Sequence, residues 1–280
     1  MKVPKESSIV VCGIVRNAET GLKRNIPVIN SICANFHDYK IVVFENNSKD
    51  RTKKILEAWH DSNHENVFIL MEDYELEKVI PSYKEVKCNP FFSLWRIEKM
   101  ANLRNKYLDF IDYKGWNPDY LMVVDLDISK IYEGGFFSSF TSSFEWDAVT
   151  ANGYSYSPSF RKRYHDTYAL VELGNEDIPQ TENSIYGNGY VFRDLKKWVP
   201  VYSAFGGLSI YRYEKIKGLR YKAIPNYNSR VESRCEHYSI FRQMWSRGNL
   251  SVYINPQMVV KYQNITFGLI WKKLKMIICK

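Results

Sequence analysis

The stretch 120–127, YLMVVDLD, constrains the fold of this chain more than any other. Its five apolar residues have the length and branched character of a buried strand, and two aspartates follow directly. Because side chains alternate along a strand, Asp125 and Asp127 point the same way and Leu126 points into the core. Two parallel carboxylates favour a hard divalent cation such as Mg2+ or Mn2+. The alternative is that they only cap the strand or open a helix.

Other apolar runs of strand length alternate with segments of helical periodicity. This order predicts an α/β fold with a mostly parallel central sheet covered by helices on both faces. The expected strands are 8–15, 40–44, 67–71, 120–124, 147–152, 201–211 and 250–262, and the clearest expected helices are 53–60, 94–111 and 238–245. The stretch 153–199 lacks periodicity, and such long irregular segments commonly line sites or act as lids.

Polar residues follow three of the predicted strands at their carboxyl ends: Arg16 to Glu19, Glu45 to Asn47, and Asp125 to Asp127. Ligands of parallel α/β sheets bind beyond the carboxyl ends of the strands. The coincidence favours a site for a metal and a diphosphate. Arg96 and Arg104, on the helix expected at 94–111, are candidates to bind a phosphate or carboxylate, although a solvated helix face is the alternative.

The chain carries 39 Lys and Arg against 31 Asp and Glu, a formal net charge of +8. This excess predicts an anionic partner: nucleic acid, a nucleotide sugar or an acidic lipid surface. The basic residues are spread along the chain without a zinc-finger spacing or an RNP-like stretch, which argues against nucleic acid. No P-loop, G-x-G-x-x-G after the first strand or G-x-S-x-G is present, which argues against kinases, dehydrogenases and hydrolases.

Cysteines and the two ends of the sequence bear on location. The five cysteines are scattered and have no metal-binding spacing, so we expect reduced thiols. The first residues lack the apolar region of a signal peptide, and the expected location is the cytoplasm. The basic amphipathic segment 263–280 is too short and charged to span a bilayer. It could lie on an anionic surface at the inner face of the cell membrane, or pack on the domain.

A second candidate site lies later in the chain. Gly206 and Gly207 interrupt a strand-like run, which predicts a bulge or the close approach of a ligand to the backbone. Glu236 and His237 precede a predicted helix and are candidates for an acid–base or metal-binding pair. The alternative is that Glu236 only complements the helix dipole.

Taken together, these elements resemble a glycosyltransferase of the GT-A fold and, more distantly, family 2 glycosyltransferases. The residues that carry this resemblance are Arg16-Asn17-Ala18-Glu19, the octet 45–52, Leu103-Arg104-Asn105 and Asp125-Leu126-Asp127. The later residues resemble the fungal capsule-associated and alpha-1,3-mannosyltransferase family in 164–170, 203–207, Cys235-Glu236-His237 and Asn255-Pro256. The resemblance covers nearly the whole chain and implies a role in polysaccharide biosynthesis.

The resemblance implies a nucleotide-sugar donor, GDP-mannose or a UDP-hexose, whose diphosphate is bridged by Mn2+ or Mg2+ to Asp125 and Asp127. The other donor-binding residues that it implies are Arg16, Asn17, Glu19, Glu45, Asn46 and Arg104. Gly206, Gly207 and His237 would contact the donor sugar or the acceptor, which is a glycan or lipid-linked glycan. Glu236 would be the catalytic base of an inverting enzyme. In a retaining enzyme, Glu236 or His237 would instead bind sugar or metal.

The expected organisation is one GT-A domain over 1–262, with a nucleotide-sugar half (1–130) and an acceptor half (131–262), followed by the tail 263–280. The sequence departs from the commonest GT-A pattern, since Glu-His stands where Glu-Asp is usual. Two other functions stay open at this point. One is a nucleotidyltransferase that makes an activated sugar, and the other is a non-enzymatic module that binds glycan or nucleic acid.

Overall fold

A computed structural model describes residues 3–74, 88–157, 160–192 and 194–262. The strands are β1 (Ser8–Val15), β2 (Asp38–Glu45), β3 (Val67–Met71), β4 (Tyr120–Val124), β5 (Lys130–Ile131), β6 (Ala148–Tyr156), β7 (Lys162–Tyr164), β8 (Val199–Pro200), β9 (Leu208–Arg212), β10 (Ile224–Pro225), β11 (Ser233–Arg234) and β12 (Val252–Lys261). The helices are α1 (Glu19–Cys33), α2 (Thr52–Ser62), α3 (Leu94–Tyr113), α4 (Glu133–Phe137), α5 (Glu182–Val191), α6 (Tyr213–Ile216) and α7 (Glu236–Trp245). Short 3-10 turns occupy Pro4–Glu6, Pro90–Phe92 and Ser138–Phe140.

The main sheet has the strand order β3-β2-β1-β4-β9-β6-β12-β5. The first four strands are parallel, as the sequence predicts. Strand β9 is antiparallel to both of its neighbours, and β5, β7 and β8 also pair in the antiparallel sense. The expectation of a mostly parallel sheet is therefore correct for the first half of the chain, whereas the second half is mixed: β6 and β12 pair in parallel, and the other pairings are antiparallel.

The first four predicted strands and the helices 53–60, 94–111 and 238–245 are confirmed with shifts of a few residues at their ends. The run 201–211 becomes a strand only from Leu208, because Gly206 and Gly207 form a turn with φ of 66° and 92°. The stretch 153–199 is more regular than expected, since it contains β7 and α5. Helix α5 was not predicted from the sequence, because two glycines interrupt its helical pattern. Its first turn is stabilised by a capping box between Thr181 and Ser184.

The core consists of two apolar layers, one on each face of the sheet. In β4, Leu121 and Val123 pack with residues of α3 and α7, whereas Met122 and Val124 pack with residues of α1 and α2. All four side chains are completely buried, and burial of each contributes about 2 kcal/mol. This two-sided burial explains the continuous apolar run and places the end of β4 at the centre of the molecule.

Helix α3 begins where the Ser93 side chain accepts a hydrogen bond from the Arg96 amide at 3.3 Å. Such an N-cap contributes about 1 kcal/mol. The helix ends just before Gly115, which has a φ of 64°. Among the described residues, no helix is long and apolar enough to cross a membrane. The segment 263–280 lies outside the described residues, so its contact with a membrane stays a prediction.

Candidate active site

A cavity of about 1090 Å³ opens beyond the carboxyl ends of β1, β2 and β4. It is lined on one side by the ends of these strands, on another by α3, and on a third by the segments around β7, α5 and the start of α7. Of the residues singled out from the sequence, it brings together Arg16, Asn46, Arg96, Arg104, Asp125, Asp127, Glu236 and His237. The cavity thus joins both halves of the described chain.

Asp125 and Asp127 follow β4 directly and both line the cavity, while Leu126 between them is buried at 1% exposure. The Asp125 amide donates to the Gly207 carbonyl at 3.0 Å. The buried side-chain amide of Asn25, on α1, donates to the Leu126 carbonyl at 2.9 Å and to the Ile128 carbonyl at 2.8 Å. The backbone that carries the two carboxylates is therefore fixed by hydrogen bonds from two elements.

The charges of these carboxylates are costly because the surrounding protein partly removes both side chains from solvent. Burial raises the pKa of Asp125 to about 7; the Arg104 guanidinium opposes this effect, and the charge of Asp127 adds to it. Burial also raises the pKa of Asp127. A divalent cation would remove this cost, because it stabilises the ionised form of both side chains.

The described residues contain no group of three or more His, Cys, Asp or Glu side chains able to hold a metal ion. Two carboxylates are nevertheless the protein ligands with which Mg2+ is commonly bound when substrate phosphates complete its coordination. Asp125 and Asp127 fit a cation held in this way. His237, expected as a third ligand, is not grouped with them in this geometry.

Arg104 lies at the centre of a buried charge cluster. It is 3% exposed, its Nε donates to Oε1 of Glu236 at 2.9 Å, and its Nη2 lies 3.4 Å from Oδ1 of Asp125. Its guanidinium also lies 5.2 Å from the ring centre of Phe205. Burial is the largest single influence and raises the pKa of Glu236, but the charge of Arg104, the neighbouring His237 and hydrogen bonds from Arg104 and the backbone together lower that pKa to about 2. Glu236 is therefore a carboxylate held by the same guanidinium that contacts Asp125.

His237 is 1% exposed and stacks on Phe205, with 3.7 Å between the ring centres. Burial lowers its pKa well below the usual range, and the charge of Arg104 lowers it further. Neither ring nitrogen has a hydrogen-bond partner among the described residues, although Nε2 lies 3.9 Å from Oε1 of Glu236. A neutral imidazole with unpartnered nitrogens at a cavity wall is able to accept a hydrogen bond or a metal.

Three residues expected to bind the donor instead brace the loops after β1 and β2. The Asn17 amide donates to Oγ of Ser48 at 2.9 Å, and its Oδ1 accepts from the Lys49 amide. Glu19 starts α1 and forms an exposed ion pair with Lys23. Glu45 is fully buried and accepts from the Ser48 amide at 2.8 Å. None of the three lines the cavity, and direct donor contact by them stays a prediction.

Gly206 and Gly207 lie in the turn before β9, and neither lines the cavity. A Cβ on Gly206 would lie 2.3 Å from the Ala151 carbonyl oxygen, and a Cβ on Gly153 would lie 2.2 Å from the carbonyl oxygen of Gly206. Close packing of backbone against β6 therefore explains Gly206, and the carbonyl of Gly207 holds Asp125. Contact between this pair and a sugar stays a prediction.

The cavity also contains residues to which sequence reasoning gave no role. Asp166 follows β7 with a φ of 64° and lines the cavity. Burial raises its pKa well above the usual range, and the charges of Asp125 and Glu236 raise it further. His165 stacks on Tyr262 with 3.5 Å between ring centres. The motif 164–170 drew attention to this segment, but nothing in the sequence indicates that it faces the Asp125 carboxylate.

No family model and no curated protein matches this sequence. Solved structures do match. A mannosyltransferase from Pyrobaculum calidifontis in complex with GDP-Man and Mn2+ aligns with a TM-score of 0.51 and 11% identity, over 95% of this chain and 60% of that chain. S. aureus TarS 1-349 aligns with a TM-score of 0.47 and 12% identity, over 96% of this chain and 64% of that one. M. tuberculosis glucosyl-3-phosphoglycerate synthase aligns with a TM-score of 0.45 and 13% identity, over 97% and 78%.

The chain thus spans 60% of the length of the mannosyltransferase with which it aligns. At 11% identity this likeness bears on architecture. The architecture is the one that the sequence predicts: a single α/β domain of the GT-A type, with a central sheet and flanking helices.

Proposed function

We propose that the protein is a metal-dependent glycosyltransferase that moves a sugar from a nucleotide-sugar donor to a glycan or lipid-linked glycan. The observation that carries the proposal is the pair Asp125 and Asp127, held side by side at the end of β4 in a large cavity of a GT-A fold. Ligands of such sheets bind at this edge. The match to a mannosyltransferase whose structure contains GDP-Man and Mn2+ supports the same reading.

In this proposal Asp125 and Asp127 hold Mn2+ or Mg2+ together with the donor diphosphate. The cation supplies positive charge to the leaving diphosphate when it is bound. Arg16 and Asn46, which line the cavity at the ends of β1 and β2, contact the nucleotide. GDP-mannose and UDP-hexoses are the donors to test first, because the sequence resembles mannosyltransferases and hexosyltransferases.

Arg104 places a fixed positive charge beside Asp125. Because the guanidinium is buried and held by Glu236, it needs no reorganisation when negative charge develops nearby. We propose that Arg104 stabilises the leaving diphosphate and that Glu236 keeps the guanidinium in place.

Glu236 is a weak base in this arrangement. A carboxylate with a pKa of about 2 removes a proton from a hydroxyl group poorly at neutral pH. This argues against Glu236 as the base of an inverting enzyme and is compatible with the retaining outcome implied by the mannosyltransferase resemblance. His237 then contacts sugar or metal through its unpartnered nitrogens.

Thermal unfolding with a panel of GDP-, UDP-, CMP- and dTDP-sugars, in Mn2+ or in EDTA, tests the proposal. The wild type is compared with Asp127→Ala and with Asp61→Ala, which changes an exposed acid on α2 as a control. We expect one nucleotide class to raise the melting temperature only with metal, and only Asp127→Ala to abolish the shift. That donor then enters an assay for release of nucleoside diphosphate.

An equal shift in EDTA, or no shift with any donor, would contradict the proposal. Release of pyrophosphate from a nucleoside triphosphate and a sugar 1-phosphate, with no glycan acceptor present, would instead indicate a nucleotidyltransferase.

A further inference from the structure

The cavity has a second region, which we name the aromatic rim: Phe91, Trp95, Arg96, Lys99 and Tyr186. Its three aromatic side chains are 54%, 48% and 49% exposed, in the order of the chain. Large aromatic side chains left in water at a cavity mouth mark binding surfaces more often than chance exposure. The proposed donor site does not use any of these five residues.

The rim is rigid because a buried residue anchors it. Phe92 is 1% exposed, and its ring centre lies 5.3 Å from that of Phe91, 6.4 Å from that of Tyr186 and 4.7 Å from that of Tyr168. The turn that carries Phe91 is also tied to α5, since the Asn89 side-chain amide donates to Glu182 at 2.6 Å. The rim therefore joins the start of α3 to the second half of the chain.

The rim is also cationic. The guanidinium of Arg96 lies 4.1 Å from the ring centre of Phe91, and the ammonium of Lys99 lies 5.6 Å from that of Trp95. Neither cation forms an ion pair with a residue that the structure describes, although Nη1 of Arg96 donates to the Phe91 carbonyl at 2.9 Å. Arg96 and Lys99 are three residues apart on α3, so they share one helix face. Two cations on one face, beside exposed aromatic rings, match a sugar that carries a phosphate group.

The rim is separate from the carboxylates. Arg96 precedes Arg104 by two helical turns, about 12 Å along the axis of α3. Arg104 contacts Asp125, so the contact between α3 and the carboxylates lies about two turns along the helix from the rim. A donor diphosphate held at Asp125 and Asp127 leaves the rim to the other substrate.

We propose that the aromatic rim binds the acceptor, and that this acceptor is a saccharide bearing a phosphate group. The sugar ring stacks on Trp95, and the phosphate contacts Arg96 and Lys99. The inference rests on the proposed glycosyltransferase function and names the substrate class of that site. A soluble sugar phosphate and a lipid-linked sugar diphosphate share this chemistry.

Calorimetric titration of the protein, preloaded with GDP and Mn2+, tests the proposal with four probes. These are mannose 6-phosphate, mannose, inorganic phosphate and a mannosyl diphosphate on a ten-carbon prenyl chain. The variants are Arg96→Gln with Lys99→Gln, and Trp95→Ala. The matched controls are Lys114→Gln and Tyr113→Ala, because this exposed pair lies at the other end of α3, outside the cavity, with 5.8 Å between ammonium and ring centre.

We expect mannose 6-phosphate to bind about tenfold or more tightly than mannose, since hydrogen bonds to charged groups strengthen binding by about this factor. The double Gln variant removes this preference, Trp95→Ala weakens both sugars, and the controls change neither. Tighter binding of the prenyl-linked probe than of mannose 6-phosphate identifies a lipid-linked acceptor, and the reverse order identifies a soluble one.

Equal affinity for mannose and mannose 6-phosphate would overturn the proposal. It would also be overturned if the double Gln variant changed the affinity for mannose 6-phosphate no more than the controls do. Inorganic phosphate that binds as tightly as mannose 6-phosphate would refute the role of Trp95. Loss of GDP affinity in the double Gln variant would assign the cations to the donor. If GDP and Mn2+ do not stabilise the wild type while the sugar phosphate binds as expected, the proposed function fails and the rim's binding of phosphorylated sugars stands.

Discussion

Replacement of Arg104 by methionine tests the buried ion pair around which the site is arranged. The side chain of methionine fills much of the same space but leaves Glu236, at 4% exposure, with an unpaired charge. The pKa of Glu236 is lowered from 4.5 to about 2, and at about 1.4 kcal/mol per pKa unit this corresponds to about 3 kcal/mol. Breaking a buried ion pair typically costs about 3–5 kcal/mol, so both arguments predict a loss of about 3 kcal/mol or more at pH 7.

Urea unfolding at pH 7, followed by circular dichroism, measures this loss. A second variant, Arg104→Met with Glu236→Leu, removes both charges, and we expect it to recover most of the lost stability. The sign of the pH effect also follows. In wild type the lowered pKa of Glu236 contributes stability above about pH 4.5, and this contribution is lost as the pH falls toward about 2.

In Arg104→Met the buried carboxylate has no cation, so its pKa rises and the variant loses stability as the pH increases. A loss below about 1 kcal/mol for Arg104→Met would refute the argument. So would a double variant whose loss of stability equals the sum of the losses caused by Arg104→Met and Glu236→Leu separately. The same variants also report on catalysis. If Arg104 stabilises the leaving diphosphate, both fall in kcat even where the double variant is stable.

Three further predictions follow from the cavity. His237→Leu should leave the free energy of unfolding of the metal-free protein unchanged or raised, because the buried imidazole has no hydrogen-bond partner among the described residues. The same variant should lose donor binding in the presence of Mn2+. A loss of more than about 2 kcal/mol in urea unfolding would contradict the stability prediction. Gly206→Ala should lower the free energy of unfolding by about 2–4 kcal/mol, since its Cβ would lie 2.3 Å from a carbonyl oxygen at a φ of 66°. Gly134→Ala is the control: the space around Gly134 is open, so this change should leave α4 unaffected or stabilise it. Equal melting temperatures for the two variants would count against the packing argument. For Asp125, burial raises the pKa from 3.8 to about 7, so this group's contribution to stability in EDTA is full below about pH 3.8 and is lost as the pH rises through about 7. Melting curves from pH 5 to 8 should show a shallower loss in Asp125→Asn than in wild type, because Asp127 and Asp166, whose pKa burial also raises, still contribute. An unchanged slope in the variant would exclude Asp125 as a source of the loss.

Much of the first half of the fold is readable from the sequence. Strands β1 and β4 are continuous apolar runs because both of their faces are covered, and that pattern depends only on neighbours along the chain. The second half is less readable. Helix α5 has no apolar stripe, and the reversal of β9 depends on the positive φ of Gly206 and Gly207, which one glycine pair in a sequence does not reveal.

The candidate site divides in the same way. The position of Asp125 and Asp127 at the end of β4 was predictable, because they follow its apolar run directly in the sequence. The predicted donor residues Asn17 and Glu45 have the right positions in the chain, yet their side chains turn to brace neighbouring loops through Ser48. Position after a strand therefore identifies the edge of the sheet but not which side chains face the cavity.

The sequence by itself determined the alternation of strands and helices, and the carboxylate pair that follows β4, since these depend on local patterns along the chain. Only the tertiary structure decided that Arg104 would pair with Glu236, 132 residues away, and leave His237 buried without a partner. It also decided that the start of α3 and α5 would form one aromatic rim. Such contacts arise from packing between distant segments, and their energies depend on burial that no stretch of sequence shows alone.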